Sequence, residues 1–475
     1  MSISSALNNA TSGLTASARA VQVASANVAN ALTDGYAARE INLVSASLAG
    51  TGGGVRVASI TRRVDPALLG LVRDSGASAH AGTRSNAFWQ RVETAVGLPG
   101  SGLSAALSAF DTALISAAER PDLDSRLSAV ADSAVALTGH LGRIEETVQQ
   151  LRADADYAIA QDVRSLNEGL ARIDTLNDQI VRLQSSDQSV VGLLDERQAV
   201  ISHLSEIVPL REYPREHGRV MLYTASGQLL LDSKPVEFGF TRTPAVDASM
   251  SVGSGLSGLT LNGTPLSTSP SGPMGGGRLA ANFAIRDTDA PSVQTQIDSF
   301  AADLISRFAD PATDPSLGGT PGVFTDAGGA LTATPGLAGR VAVNTAILPD
   351  AGGELWRIRD GIGAAAPGNI GDSTQIGRLL GALDRQIASG PGAPLQTAAA
   401  TLGSLMSSLS RSRQSAEDTA TTAQTRNQVL NETLLAQGVD TDEEMQHLLL
   451  IEQAYAANAR VIQTADAMLR HLLEI

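Results

Sequence analysis

ISSALNNATSGLTASARAVQVASANVANA, residues 3–31, decides the fold. Within it Ile3, Leu7, Ala10, Leu14, Ser17, Val21, Ala24 and Val28 recur at alternating steps of four and three. That is the a/d rhythm of a coiled-coil seam. The other end of the chain repeats it: Leu448, Ile451, Tyr455, Asn458, Ile462, Ala465, Leu469 and Leu472. A chain that begins and ends with a seam-bearing helix can bring its ends together, with everything between them standing off as a loop.

Outward from the first helix, Thr33-Asp34-Gly35-Tyr36 reads as a turn, with Gly35 at positive φ. Residues 37–65 read as irregular or β, with a glycine joint at 50–54 and a short strand at Val55-Arg56-Val57. Helices are predicted over 85–97 and 103–119, the second ended by Pro121. The longest periodic stretch follows, over 124–184. Leu137, Leu141, Ile144, Val148, Leu151 and Ala155 keep the seam; it slips before Ile159 and resumes through Val163, Leu166, Leu170, Ile173, Ile180 and Leu183. A slip of that kind locally unwinds a supercoil. Another helix is predicted over 192–208, with Asp195 and Glu196 near its start and Pro209 as its stop.

Short apolar runs separated by Gly, Ser, Thr and Pro then mark 213–275 as a small β-domain. Residues 278–309 return to helix, with Pro291 marking a break or a first turn. Residues 311–371 are Gly/Pro-rich and irregular, with Val341-Ala342-Val343 as a strand. Helices are predicted over 374–389 and 394–436. Gly438 reads as a helix C′ residue, and Thr441 with Glu444 has capping-box spacing at the start of the last helix.

The fold class read from this order is mainly α with a small β insert. It combines paired N- and C-terminal coiled-coil helices, an elongated helical-bundle domain and a small antiparallel β-domain. The expected domains are 1–36 with 439–475; 37–212 with 276–438, including the irregular 311–371; and 213–275. An isolated helix of this length is marginal in water, so the ends are expected to be loosely ordered in a free monomer and to become rigid on lateral assembly.

Composition narrows the function. Apolar residues make up 43% and aromatics 3%, so the cores are built from Ala, Leu, Val and Ile, which suits helices in close axial approach. The net charge of −15, with Lys234 the only lysine, offers no clustered cations for a nucleic-acid duplex. The absence of cysteine excludes disulfides, thiolate metal sites and Cys nucleophiles. Residues 1–30 lack a secretory pattern, and no run approaches the roughly 18 apolar residues of a membrane span. Export, if it occurs, is expected to leave the N-terminus in place. The histidines, at 80, 140, 203, 217, 447 and 471, are scattered and form no HExxH. Gly275-Gly276-Gly277 lacks the Lys-Ser/Thr of a phosphate loop, and Asp154/Asp156 and Glu145/Glu146 read as a solvated helix face. No catalytic, cofactor-binding or metal-binding residue is predicted, and no enzyme.

Ala26-Asn27-Val28-Ala29-Asn30 with Thr33 to Tyr36 resembles the opening signature of the bacterial flagellar axial proteins of rod, hook and hook-associated type. Gly438-Val439-Asp440, Asp442 to Met445, and Gln453 to Ile462 resemble their closing signature. The helical middle, with Leu193 to Arg197 and Leu204 to Val208, is similar to the hook-associated protein 1 branch, which forms the hook–filament junction. Where that family usually carries Asn before the turn Thr, Leu32 stands here.

The resemblance implies unfolded export through the flagellar type III apparatus and a homo-oligomeric ring at the hook tip. It implies terminal helices lining an inner tube, with the β-domain facing outward. The implied partners are the hook protein, a second junction protein and a cytoplasmic export chaperone on the C-terminal helix. The alternatives are another axial protein of rod or hook type, or an exported adhesin or enzyme with its activity in 213–371. A concave pocket with convergent polar groups in that segment would mark the last; a convex module is expected. The assembly seam is assigned to Ile3, Leu7, Leu14, Val21, Val28, Leu448, Ile451, Tyr455, Ile462, Leu469 and Leu472, and the turn to Asp34, Gly35 and Tyr36.

Overall fold

The computed structural model describes residues 3–33, 35–48, 51–186, 189–388 and 394–473, with the side chains of 47, 48, 51, 52, 472 and 473 left aside. Asp34 and the side chain of Leu472, both singled out above, therefore lie outside the described residues.

Helix α1 (Ile3–Asn30) is followed by an antiparallel strand pair, β1 (Arg39–Leu48) and β2 (Thr51–Arg62). Helices α2 (Pro66–Val96), α3 (Gly102–Glu119), α4 (Asp124–Ser185) and α5 (Val191–Ile207) come next. Strands β3 (Leu210–Pro214), β4 (Val220–Thr224) and β5 (Leu229–Leu231) form one antiparallel sheet in that order. A second sheet has the order β10-β9-β6, from β6 (Phe238–Gly239), β9 (Leu259–Leu261) and β10 (Thr264–Leu266), with a small pair β7 (Ser251–Val252) and β8 (Gly255–Leu256) between. Helices α6 (Arg278–Ala284) and α7 (Ala290–Ala309) are joined by a π-helical turn at Ile285–Asp289. Then come β11 (Phe324–Asp326), α8 (Leu337–Arg340), β12 (Val341–Val343), α9 (Trp356–Asp360) and α10 (Thr374–Asp384). The pair β13 (Ile387–Ala388) and β14 (Leu395–Gln396) precedes the last helices, α11 (Ala398–Ala436) and α12 (Thr441–Leu473).

The chain divides into two compact units. The first comprises 1–78, 165–236 and 423–475, the second 79–164 and 237–422. The single β-domain expected over 213–275 is therefore divided, one sheet lying in the first unit and two in the second, because the strands up to Leu231 and those from Phe238 pair only among themselves. The hydrophobic core of the second unit lies along α3, α4 and α7. Phe110, Phe308 and Phe324 meet edge to face there at centroid distances of 5.1–5.7 Å. Such pairs add about 0.5–1.5 kcal/mol each beyond their burial, so a chain poor in aromatics concentrates three of them at one point.

The α4 seam is buried from Leu127 to Ile180, including Ala155, Ile159 and Val163 across the slip. Three successive steps of four pass through the slip without ending the helix. The start of α2 differs from the sequence reading: the helix begins at Pro66, where a ring at the first helical position costs no backbone hydrogen bond. Gly70, Gly76 and Gly82 lower its propensity, which hid it. Close packing sustains it: a Cβ on Gly82 would lie 2.9 Å from Ala420 Cα. Residues 311–371 are mostly irregular as expected, with the strand at Val341–Val343 pairing β11.

Candidate assembly interface

In the first unit, α1 packs against both α12 and the β1–β2 pair. The two helices run antiparallel in a register that two contacts fix. Asn27 Nδ2 donates to Glu444 Oε1 at 2.6 Å. A Cβ on Gly13 would lie 2.7 Å from Asn458 Nδ2. Both pairs of numbers sum to 471, and they stand two heptads apart. The same register sets Ala20 opposite Ile451, both buried, and Ala6 opposite buried Ala465. The line on α1 is thus Ala6, Gly13, Ala20, Asn27: small residues one heptad apart that admit the partner helix closely.

Asn27 is fully buried and uses its whole carboxamide. Oδ1 accepts from the Arg39 amide (2.9 Å) and the Tyr36 hydroxyl (2.8 Å). Nδ2 donates to the Arg39 carbonyl (2.9 Å) and to Glu444. The side chain thus pairs with the edge of β1 as a neighbouring strand would. Gly35 holds φ at +77° in the turn that brings Tyr36 back, as its type required. Burial raises the Tyr36 pKa against the lowering effect of Arg39, whose guanidinium lies 4.9 Å over the Tyr36 ring. Arg39 Nη2 and Arg62 Nε reach the two oxygens of Asp195 on α5, at 3.0 and 2.7 Å. Arg63 Nη2 donates to the Gly438 carbonyl at 2.8 Å.

The start of α12 differs from the capping-box reading. Asp440 Oδ1 accepts from the amides of Asp442 and Glu443, so Asp440 is the N-cap. Glu444 is thereby free to meet Asn27. Gly438 is not among the positive-φ residues, so α11 does not end in a left-handed cap.

The seam residues divide by position. Ala10, Ser17, Ala24, Ile451 and Ala465 are buried, while Ile3, Leu7, Leu14, Val28, Leu448, Asn458 and Ile462 are half-buried. Val21, Tyr455 and Leu469 are exposed, at 38%, 47% and 38%. On α1 the division has a cause: the helix faces two neighbours, so its buried stripe is wider than a seam and turned toward Ala16, Ala20, Val23 and Asn27. On α12 the exposed apolar surface is extensive: Met445, Leu449, Tyr455, Val461 and Met468 are exposed, as is Leu450, which lines the groove that α12 forms with α1 and β1.

The second unit holds a groove of about 950 Å³ between the 248–252 and 331–337 segments and α7, where a convex module was expected. Its polar groups are already engaged. Arg152 donates to the carbonyls of Arg286, Asp247 and Met250. Asp298 accepts from the amides of Gly336 and Ala338. These bonds hold the loops that wall the groove. Among the described residues no cluster of His, Asp and Glu could hold a metal ion, and no helix is long and apolar enough to cross a membrane.

The sequence profile of the flagellar hook-associated protein FlgK helical domain matches residues 89–314. That of the flagellar basal body rod FlgEFG protein C-terminal domain matches 431–475, and that of the flagellar basal body rod protein matches 7–36. The chain thus carries a FlgK-type helical domain between two terminal segments of flagellar rod type. The two terminal profiles cover α1 and α12, the helices that Asn27 and Glu444 tie together. The three matches mark it as a component of the bacterial flagellum. The flagellar hook junction protein FlgK from Burkholderia pseudomallei is similar in structure, with a TM-score of 0.46, 20% identity, and 54% of this chain and 46% of that chain covered. The chain thus spans just under half the length of that relative. No curated protein sequence matches it.

Proposed function

We propose that this protein is a structural element of the hook–filament junction, acting by lateral self-assembly and not by turnover. The observation that carries the reading is the pairing of α1 with α12 while Leu449, 57% exposed, lies outside the groove between them. Exposed apolar side chains in such number on one helix offer a surface to a partner, and a homo-oligomeric ring supplies one from each neighbour. The assembled ring would meet the hook protein on one side and a second junction protein on the other. Before secretion, the same face of α12 would be held by an export chaperone in the cytoplasm.

The test is Leu449→Asp in cells. Leu449 is exposed and lies outside the groove that α12 forms with α1, so the secreted protein should fold as the wild type does. Cells should release their filaments and retain bare hooks under the electron microscope. Filaments that stay attached, with normal swimming, would refute the assignment of this face.

A further inference from the structure

A groove of about 730 Å³ opens in the first unit between β2 and β3, with the starts of α2 and α5 beneath it. Both flanking strands are edges. The Arg63 amide bonds to the Ala38 carbonyl, which sets the ladder phase of β2 and turns the backbone groups of Ile60 and Arg62 away from β1. In β3, the Arg215 and Pro209 bonds to Arg219 and Ala225 turn Leu210, Glu212 and Pro214 away from β4 in the same manner. Pro214 stands at an outward position, where a missing N–H costs no ladder bond. Two rows of backbone donors and acceptors thus border one groove, and its wall is apolar at Ile60, Val64, Leu69 and Leu194.

The base of the groove carries a cation that no carboxylate among the described residues contacts, Glu212 acting on it only at a distance. Arg197 is 5% exposed. Its Nη1 donates to Asn177 Oδ1 (2.9 Å) and the Gly218 carbonyl (2.7 Å), both neutral, and its Nε has no partner. No carboxylate ion-pairs with it among the described residues, whereas Arg73 has Glu212, Arg62 has Asp195 and Arg211 has Asp74. A buried guanidinium without an anion is costly, and here it lies in a chain whose net charge is −15.

We propose that this groove receives an extended acidic segment of a second polypeptide, added as a strand along β2 and β3 with one carboxylate directed at Arg197. Backbone bonds to free strand edges supply the affinity, and alternate side chains supply the selectivity. The inference rests on the geometry of this unit and stands apart from the junction reading.

The test uses the full chain and two labelled peptides, an alternating Glu/Val hexamer and its Lys/Val counterpart, read by fluorescence anisotropy. The Glu/Val peptide should bind and the Lys/Val peptide should not. Arg197→Met keeps the volume and should weaken binding roughly tenfold. Ile60→Pro removes an outward N–H and one apolar side chain of the wall and should weaken it as much, with circular dichroism unchanged, while Ile60→Ala, which keeps the N–H, should weaken it less. Equal binding of the two peptides, no binding by either, or full binding by Ile60→Pro would each overturn the proposal.

Discussion

Asn27→Ala probes the node that joins the two ends of the chain. The substitution removes four hydrogen bonds at once, to the Arg39 amide and carbonyl, the Tyr36 hydroxyl and Glu444. Each is worth about 1 kcal/mol net, and more where the abandoned partner stays dry. Arg39 and Glu444 are only half-buried, so water recovers part of the loss and the expected cost is about 3 kcal/mol. That is a factor of roughly 150 in a local opening equilibrium. The opening to be measured is that of α12 and the β1–β2 pair, by hydrogen–deuterium exchange of peptides from 441–473 and 39–62. Exchange there should quicken by about two orders of magnitude, while peptides from the α3–α7 core keep their rates. Asn27→Asp should be as damaging at neutral pH, because it sets a carboxylate against Glu444, and milder in acid where that pair shares a proton. Unchanged exchange over 441–473 in Asn27→Ala would show that the apolar contacts alone hold the ends together, and the reasoning from the node would fail.

Other outcomes follow from single contacts. Gly82→Val should destabilise the second unit by about 2 kcal/mol, read as a lowered denaturation midpoint, since the new Cβ meets backbone that cannot turn aside. Asp289 sits in the π-helical turn, where burial raises its pKa from 3.8 to about 6. A carboxyl raised on folding costs nothing below its unfolded pKa, costs increasingly between pH 4 and 6, and stays at full cost above. Asp289→Asn should therefore gain on the order of 1–3 kcal/mol at pH 7 and nothing at pH 3.5, in urea titrations at the two pH values. Limited proteolysis should cut the monomer within 441–473 before it cuts the α3–α7 core, because α12 is exposed along most of its length; equal resistance would contradict that.

The long-period features were legible. The α4 seam, with its slip at Ala155 and Ile159, is buried as the spacing required; its stretch from Leu127 to Ala155 belongs to the core of the second unit, and the stretch from Leu166 onward is buried within the first. The seam of α1 was legible in period but not in phase, since Val21 turns out and Ala16, Ala20 and Val23 turn in. A second neighbour, the β1–β2 pair, decides that phase, and its position is not written in the helix. Residues 66–84 were lost to their glycines and serines, which weaken local propensity while permitting the contact with Ala420. The β-strands of 210–266 were visible individually. Their partition into two sheets depends on distant elements that no window of sequence contains.

Asn27 was visible only as part of a family signature, because the seam as read sets Ala24 and Val28 at the core positions beside it. An asparagine at a heptad core position is expensive unless its amide is fully engaged. Asn177 obeys the same rule on α4. It falls four residues after Ile173 and three before Ile180, is fully buried, and pairs both the amide and the carbonyl of Val220 on β4. Each asparagine lets a helix dock a strand by its backbone, which an apolar side chain cannot do. The device also sets position more sharply than packing would. A stripe of alanines tolerates a helix sliding by one turn at little loss, but a slide by one turn leaves Asn27 or Asn177 with a dry, unmatched amide. The two residues therefore make register costly to change, in a unit whose apolar contacts are small. That is the property a part needs if many copies must present the same face of α12 at the same height.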